Sequence, residues 1–136
     1  MSNRRNFLKK SAAFASLSFF PSSLISQLKN SHLRTAHIGV GGMGGADLNS
    51  ISSHKLVDVV ALCDVDSNAL DKAKKLHPNA KIFSDYRKLF NKISNSIDAV
   101  IVSTPDHTHA PASMMAMNMD KPVYCQKPLT HHVTEA

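Results

Sequence analysis

The chain has 136 residues, 43% of them hydrophobic, which suits one modest domain with a single core. The net charge of +6 invites a nucleic-acid partner, but its distribution argues against one: residues 1–30 hold Arg4, Arg5, Lys9, Lys10 and Lys29 and no acid, which leaves 11 basic and 10 acidic residues in the remainder. Two cysteines, Cys63 and Cys125, cannot by themselves make a metal site, and no internal repeat is present.

In chain order, NRRNFLKK (residues 3–10) precedes an apolar, serine-rich run over residues 11–25. A charged start followed by a short apolar segment reads as an export signal. The run is short for a span of ~20 residues, and Pro21 interrupts it. The adjacent arginines resemble a twin-arginine signal, which sends folded proteins across the bacterial inner membrane. That resemblance implies the twin-arginine translocase as a transient partner and a periplasmic or inner-membrane-anchored destination. No A-x-A cleavage site follows the run, so cleavage and retention both stay open. A basic amphipathic N-terminal helix is the other reading of this segment. Residues 26–33 read as a short polar linker.

Strand-like and helix-like pieces then alternate. Residues 35–40 form a β-prone run that ends in glycines, and 44–52 a helix with Leu48 and Ile51 on one face. Residues 56–63, LVDVVALC, are nearly continuously apolar, as in a strand covered on both faces. Ala69, Leu70, Ala73 and Leu76 share a helical stripe, with Asp66 or Ser67 as N-cap and His77-Pro78-Asn79 as the stop. A short strand at 81–83 leads, through Ser84 or Asp85 as cap, to a helix burying Tyr86, Leu89, Phe90 and Ile93. A strand at 99–102, a helix opened by Pro111 and running to about Met119, and a strand at 123–125 follow. The four methionines of that helix, Met114, Met115, Met117 and Met119, read as core packing. Thr130 is placed to cap one more helix.

Such alternation predicts an α/β fold: a Rossmann-type, doubly wound parallel sheet in the order 3-2-1-4-5. Ligands of such sheets bind beyond the carboxyl ends of the strands, here the loops after Val40, Cys63, Phe83, Val102 and Cys125. In that order Cys63 and Cys125 stand three inter-strand steps apart, ~14 Å, so both are expected to be free thiols.

The first of these loops, Gly39-Val40-Gly41-Gly42-Met43-Gly44, is a G-x-G-x-x-G between a strand and a helix, the context that a dinucleotide fingerprint requires. Gly39 permits the tight turn, Gly41 lets a pyrophosphate approach the backbone, and Gly44 allows close helix–strand packing. The helix start around Gly42 and Met43 offers unpaired N–H groups and a positive dipole end. Asp64 follows the second strand, twenty residues after Gly44, where a carboxylate binds ribose hydroxyls. It would repel a 2′-phosphate, and no Arg or Lys follows before Lys72, which favours NAD over NADP. The fourth loop, Thr104-Pro105-Asp106-His107-Thr108-His109, falls beside the middle of such a cofactor. His107 and His109 have no third ligand at suitable spacing, so no metal is expected. His109 is read as a hydrogen-bonding group near cofactor or substrate, or else as a surface histidine at a helix end.

Together, IGVGGMGG, ALCDVD, STPDHTHA and VYCQKPL resemble the N-terminal domain of the Gfo/Idh/MocA oxidoreductase family over about residues 36–136. The resemblance implies a Rossmann domain that binds NAD(P), followed by a second α/β domain supplying most of the substrate pocket. It also implies that the fifth strand ends in Glu-Lys-Pro with the lysine at the nicotinamide. Lys127 matches that lysine and would stabilise an alkoxide-like oxygen as hydride leaves. Gln126 departs from the glutamate, keeping a hydrogen-bonding group but no charge. The division expected is 1–30 as export signal and linker and 34–136 as the Rossmann domain. The chain stops at Ala136, ahead of the implied second domain, so a truncated product or fragment is expected, inactive alone. Its uncovered last strand invites association into a homo-oligomer. The function expected is hydride transfer on a sugar or polyol. The alternatives are an NAD-dependent glycoside hydrolase that oxidises its substrate transiently and a non-catalytic nucleotide-binding fragment.

Overall fold

The computed structural model describes residues 32–135; the expected export signal lies outside the described residues. Nine elements alternate: β1 (Leu33–Ile38), α1 (Gly42–Ser52), β2 (Val57–Cys63), α2 (Ser67–Leu76), β3 (Lys81–Phe83), α3 (Tyr86–Ile93), β4 (Ala99–Val102), α4 (His109–Met117) and β5 (Val123–Cys125). All strand pairs are parallel, in the order β3-β2-β1-β4-β5. This is the Rossmann-type α/β sheet that the alternation predicts.

Helices cover both faces of the central strands, and most of the side chains buried there are apolar. Ala36 and Ile38 of β1 pack with Leu89, Phe90 and Ile93 of α3 and Ala112 and Ala116 of α4. On the opposite face Leu48 of α1 meets Leu62 of β2 and Leu70 and Ala73 of α2. The period-2 alternation of β1 sends Thr35 and His37 away from the Ala36–Ile38 face. Both are fully buried, with Thr35 Oγ1 3.2 Å from His37 Nε2. Burial lowers the His37 pKa to about 4, with the nearby His77 adding to the shift.

Pairing register sets the position of the site. Ile38 pairs with Cys63 and with Val102, Cys63 with Phe83, and Val102 with Cys125. The carboxyl ends of all five strands therefore stand in one row, and every following loop leaves from the same rim. At the other end of the sheet Arg34 grips Asp98 through Nε and Nη2 at 2.9 and 2.6 Å. That hydrogen-bonded ion pair holds the Asp98 pKa down at about 2. Cys63 and Cys125, on β2 and β5 with β1 and β4 between them, are free thiols.

Several boundaries differ from the sequence reading. β1 stops at Ile38 because Gly39 turns into the left-handed region at φ 83°. Helix α1 consequently begins at Gly42, two residues early. Of the alternative caps, Asp66 holds α2 by accepting from Asn68 N at 2.9 Å, and Asp85 holds α3 by accepting from Arg87 N at 2.9 Å. Helix α4 starts at His109, which places Pro111 inside its first turn, where a missing N–H costs nothing. Only Met115 and Met119 pack on the core; Met114 and Met117 stand on the outer face, 51% and 49% exposed. The helix anticipated after Thr130 is a single 3₁₀ turn at Val133–Glu135, where Glu135 accepts from the backbone N–H groups of His131 and His132.

Candidate cofactor site

The rim builds the site in two parts, beginning with the glycine turn. A Cβ on Gly39 would lie 2.6 Å from the Ser103 carbonyl oxygen, and one on Gly44 would run into the carbonyl of Gly39. Gly39 and Gly44 thus let β1, α1 and the β4 loop close on one another. Gly41, with a Cβ 3.3 Å from Ala69 and 3.8 Å from Asp64 Oδ2, keeps the cleft floor low. Helix α1 has no side-chain cap, and its first turn contains no acid. The Gly45 N–H donates to the Gly41 carbonyl, so the amides of Gly42, Met43 and Gly44 have no partner within the helix. An uncapped helix start on a low glycine floor fits a pyrophosphate. Met43 projects its side chain outward there, 65% exposed.

Asp64 closes this part of the rim. Its Oδ2 accepts from Val40 N at 2.8 Å and Gly41 N at 3.2 Å, and its Oδ1 from Asp66 N at 3.0 Å. A carboxylate offers about four acceptor positions, so capacity remains for a ribose hydroxyl. Beneath it lies Cys63, whose pKa burial and then the charges of Asp64 and Asp85 push up to about 12, which keeps the thiol inert.

Gly39, Gly41, Asp64, Thr104 and Pro105 line one cleft of about 860 Å³. Its far wall, Ser84 to Arg87, follows β3. The strand-end rule names that loop, but the sequence pattern assigns its residues only to a cap and a core face. Arg87 is held there, its guanidinium 4.7 Å from the Tyr86 ring centroid and 3.7 Å from Asp85. Thr104 Oγ1 is buried with no hydrogen-bond partner.

The second part is the β4–β5 end of the rim. His109 is buried, with Nε2 2.7 Å from the Thr104 carbonyl oxygen and Nδ1 2.6 Å from that of Pro128. Its ring joins the fourth loop to the last turn, hydrogen-bonded behind the cleft-lining Thr104, and its burial contradicts the surface reading of His109. His107 is exposed and lines the cleft. Gln126 continues the sheet, donating its backbone N–H to the Val102 carbonyl at 2.9 Å. Lys127 follows, exposed, with a cis bond to Pro128. It leaves the same rim as the glycine turn but does not line the cleft, and Gly44 lies buried behind Gly39.

One residue of this end escapes the sequence reading. Asp47, on α1, accepts from Ser103 Oγ at 2.6 Å and from Gln126 Nε2 at 2.9 and 3.1 Å. A lone aspartate in a helix carries no motif, and its partners are 56 and 79 residues away in sequence.

Comparison with known proteins agrees with this geometry. The profile of the "Oxidoreductase family, NAD-binding Rossmann fold" (GFO_IDH_MocA) matches residues 33–136. An inositol 2-dehydrogenase of Salmonella paratyphi B is 32% identical over 102 residues, covering 71% of this chain and 29% of that protein. A glycosyl hydrolase family 109 protein of Solibacter usitatus is 32% identical over 134 residues, covering 92% of this chain and 29% of its own length. Among solved structures, myo-inositol 2-dehydrogenase from Lactobacillus plantarum superposes with a TM-score of 0.71 at 30% identity, over 77% of this chain and 31% of that one. Myo-inositol dehydrogenase from Lactobacillus casei, solved in complex with NAD(H) and myo-inositol, gives 0.70 at 28%, over 76% and 31%. The chain spans less than a third of the length of the curated relatives it matches. With the glycine turn, the acidic end of β2 and the lysine after β5 on one rim, the chain belongs to the Gfo/Idh/MocA oxidoreductase family, as its NAD-binding Rossmann domain.

Proposed function

We propose that the chain is the cofactor-binding part of an exported enzyme that transfers hydride between NAD and a sugar or polyol. The observation carrying the proposal is the pairing of Asp64 with the glycine turn at the mouth of the cleft. Bound NAD supplies the hydride acceptor. The free amides of Gly42 and Met43 would hold the pyrophosphate, with Gly44 packing the turn behind them, and Asp64 would take the adenosine ribose hydroxyls and disfavour a 2′-phosphate. Lys127, as an ammonium at the end of β5, stabilises negative charge on the substrate oxygen.

Titration of the chain with NAD and NADP tests this reading. Asp64→Asn weakens NAD about tenfold, the loss of one charge-assisted hydrogen bond, and narrows the preference over NADP. An unchanged affinity and preference removes the ribose assignment. In a version that carries the second, substrate-binding domain, Lys127→Ala leaves NAD affinity within about twofold and lowers turnover, since its interaction forms with the developing charge. The reverse pattern makes Lys127 a binding residue.

A second reading is supported by the reach of one likeness. The match to the Solibacter usitatus protein covers 92% of the chain, so it extends into residues 1–31, outside the family profile. That extent favours a hydrolase which oxidises its glycoside transiently and returns the hydride. Net product separates the two: an oxidised sugar with NADH, or a released sugar with NAD unchanged. The export part of the proposal rests on Arg4 and Arg5 ahead of the apolar run over residues 11–25. Fusing residues 1–30 to a folded reporter directs it to the periplasm only in cells with a working twin-arginine translocase, and Arg4→Lys with Arg5→Lys abolishes that transport.

A further inference from the structure

The β4–β5 end of the rim contains a charge that the cofactor reading does not use. Asp47 projects from α1 between two loops. Ser103 Oγ, at the end of β4, donates to its Oδ2 at 2.6 Å. The Gln126 amide, at the end of β5, donates to both carboxylate oxygens at 2.9 and 3.1 Å. Gln126 Oε1 in turn accepts the backbone N–H of Lys127 at 3.1 Å. A continuous chain of hydrogen bonds therefore runs from the fourth loop through α1 to the residue placed at the reacting atoms.

The polarity of this chain is fixed. An ionised carboxylate only accepts, so Asp47 requires a donor from position 126. An amide provides one and still has an oxygen for the Lys127 N–H. A glutamate would set two carboxylates within hydrogen-bond distance of each other, an arrangement that cannot stay doubly ionised. The departure from Glu-Lys-Pro at Gln126 thus has a physical cause in this chain.

We propose that Asp47 is a positioning residue for Lys127: its carboxylate, gripped by Ser103 and Gln126, orients the turn that carries the lysine, and its negative charge is what requires an amide at position 126. The role assigned to Lys127 rests on the function proposed above; the hydrogen-bonded network does not. The other charged groups nearby are few. His37, buried on β1, feels the charge of Asp47, and Lys127 itself adjoins Gln126.

The test is a polarity swap in the full chain. Melting temperatures are measured from pH 5 to pH 8 for the parent, Gln126→Glu, Asp47→Asn and the double variant Asp47→Asn/Gln126→Glu. His37 titrates in all four and feels the charge of Asp47, so the Asp47 variants are compared with the parent at pH 8, above its titration, and only the parent and Gln126→Glu, which share Asp47, across the range. At pH 8 Gln126→Glu melts about 5 °C or more below the parent, and the gap closes towards pH 5 as the two carboxylates come to share a proton. In the double variant donor and acceptor trade places, with the amide now on α1 and the carboxylate after β5. Its melting temperature at pH 8 returns to within about 2 °C of the parent. Exchange of the Lys127 amide hydrogen, read by NMR, is slow in the parent and the double variant and faster in Gln126→Ala. Parent-like melting of Gln126→Glu at every pH, or a double variant no better than Gln126→Glu, overturns the proposal. If Gln126→Glu does not fold at pH 8, recovery in the double variant still decides it. An NAD titration of the parent tests the cofactor function separately: no binding removes that function and leaves the swap intact, whereas a failed swap with normal NAD binding removes only the role of Asp47.

Discussion

The two ends of the rim are built from different materials. At the β1–β2 end the backbone does most of the shaping: Gly39 turns left-handed, α1 begins without a side-chain cap, and the Asp64 carboxylate accepts from three backbone amides. At the β4–β5 end side chains hold the loops together, His109 reaching from Thr104 to Pro128 and Asp47 from Ser103 to Gln126. The first end is a surface moulded to one shape and the second a set of clasps. A moulded surface fails when an atom is added, and a clasp fails when a partner is taken away.

The largest expected effect probes the moulded end. Gly44→Ala presses a methyl group onto the Gly39 backbone, which has no room to retreat, and costs about 4 kcal/mol or more in urea unfolding, with NAD binding lost. Gly42→Ala sharpens the contrast. A Cβ there meets nothing within 4 Å, so only the left-handed φ of 49° is charged against it, about 1 kcal/mol. Equal losses for the two would mean that close approach does not shape this turn.

Next comes the clasped end. His109→Ala empties a buried place between the Thr104 and Pro128 carbonyls and removes the ring N–H that one of them accepts, a loss of about 2 kcal/mol that shows as a lower urea midpoint. A loss below about 1 kcal/mol, the size of an ordinary surface change, would reduce His109 to a bystander.

Acid separates the scaffold from both ends. His37 has its folded pKa lowered to about 4 by burial, so between that value and the ordinary 6.5 the unfolded chain binds a proton that the folded chain refuses. Stability is therefore full above pH 6.5 and declines as pH falls towards 4, by about 2 kcal/mol between pH 7 and pH 5. His77, also lowered by burial, acts in the same sense. The loss of the Arg34–Asp98 pair belongs below pH 4, because Asp98 is held down at about 2. Denaturation at the two pH values checks the slope, and His37→Gln flattens it.

The smallest effect is kinetic. Two thiols per chain react with a disulfide reagent at pH 8 after unfolding, and in the folded chain the half-buried Cys125 reacts ahead of Cys63. An unfolded, unreduced chain with no reactive thiol would contradict the strand order that separates them.

These contrasts explain what is legible in the sequence. The moulded end can be read because its parts are residue types with local meaning: glycines where a strand gives way to a helix, and an acid after the next strand. The strand order follows from the same local alternation. The clasps cannot be read that way. Asp47, Ser103 and Gln126 are ordinary polar residues until the fold brings them together, and His109 stands out by its position but not by its partners. The methionines of α4 mislead for a related reason. A helix apolar on every side gives no hint of which side is covered, and Met114 and Met117 lie outside.

The flush ends of the five strands have a consequence for engineering. Each connecting segment departs from a common baseline, so residues can be inserted after Phe83 without displacing any pairing, whereas after β4 the insertion has to spare Ser103, which bonds Ile38 and Asp47. Insertion within a strand would slip it by one position and turn its inward side chains outward. Selectivity at this mouth can thus be retuned one segment at a time, while the pleated platform underneath is left alone.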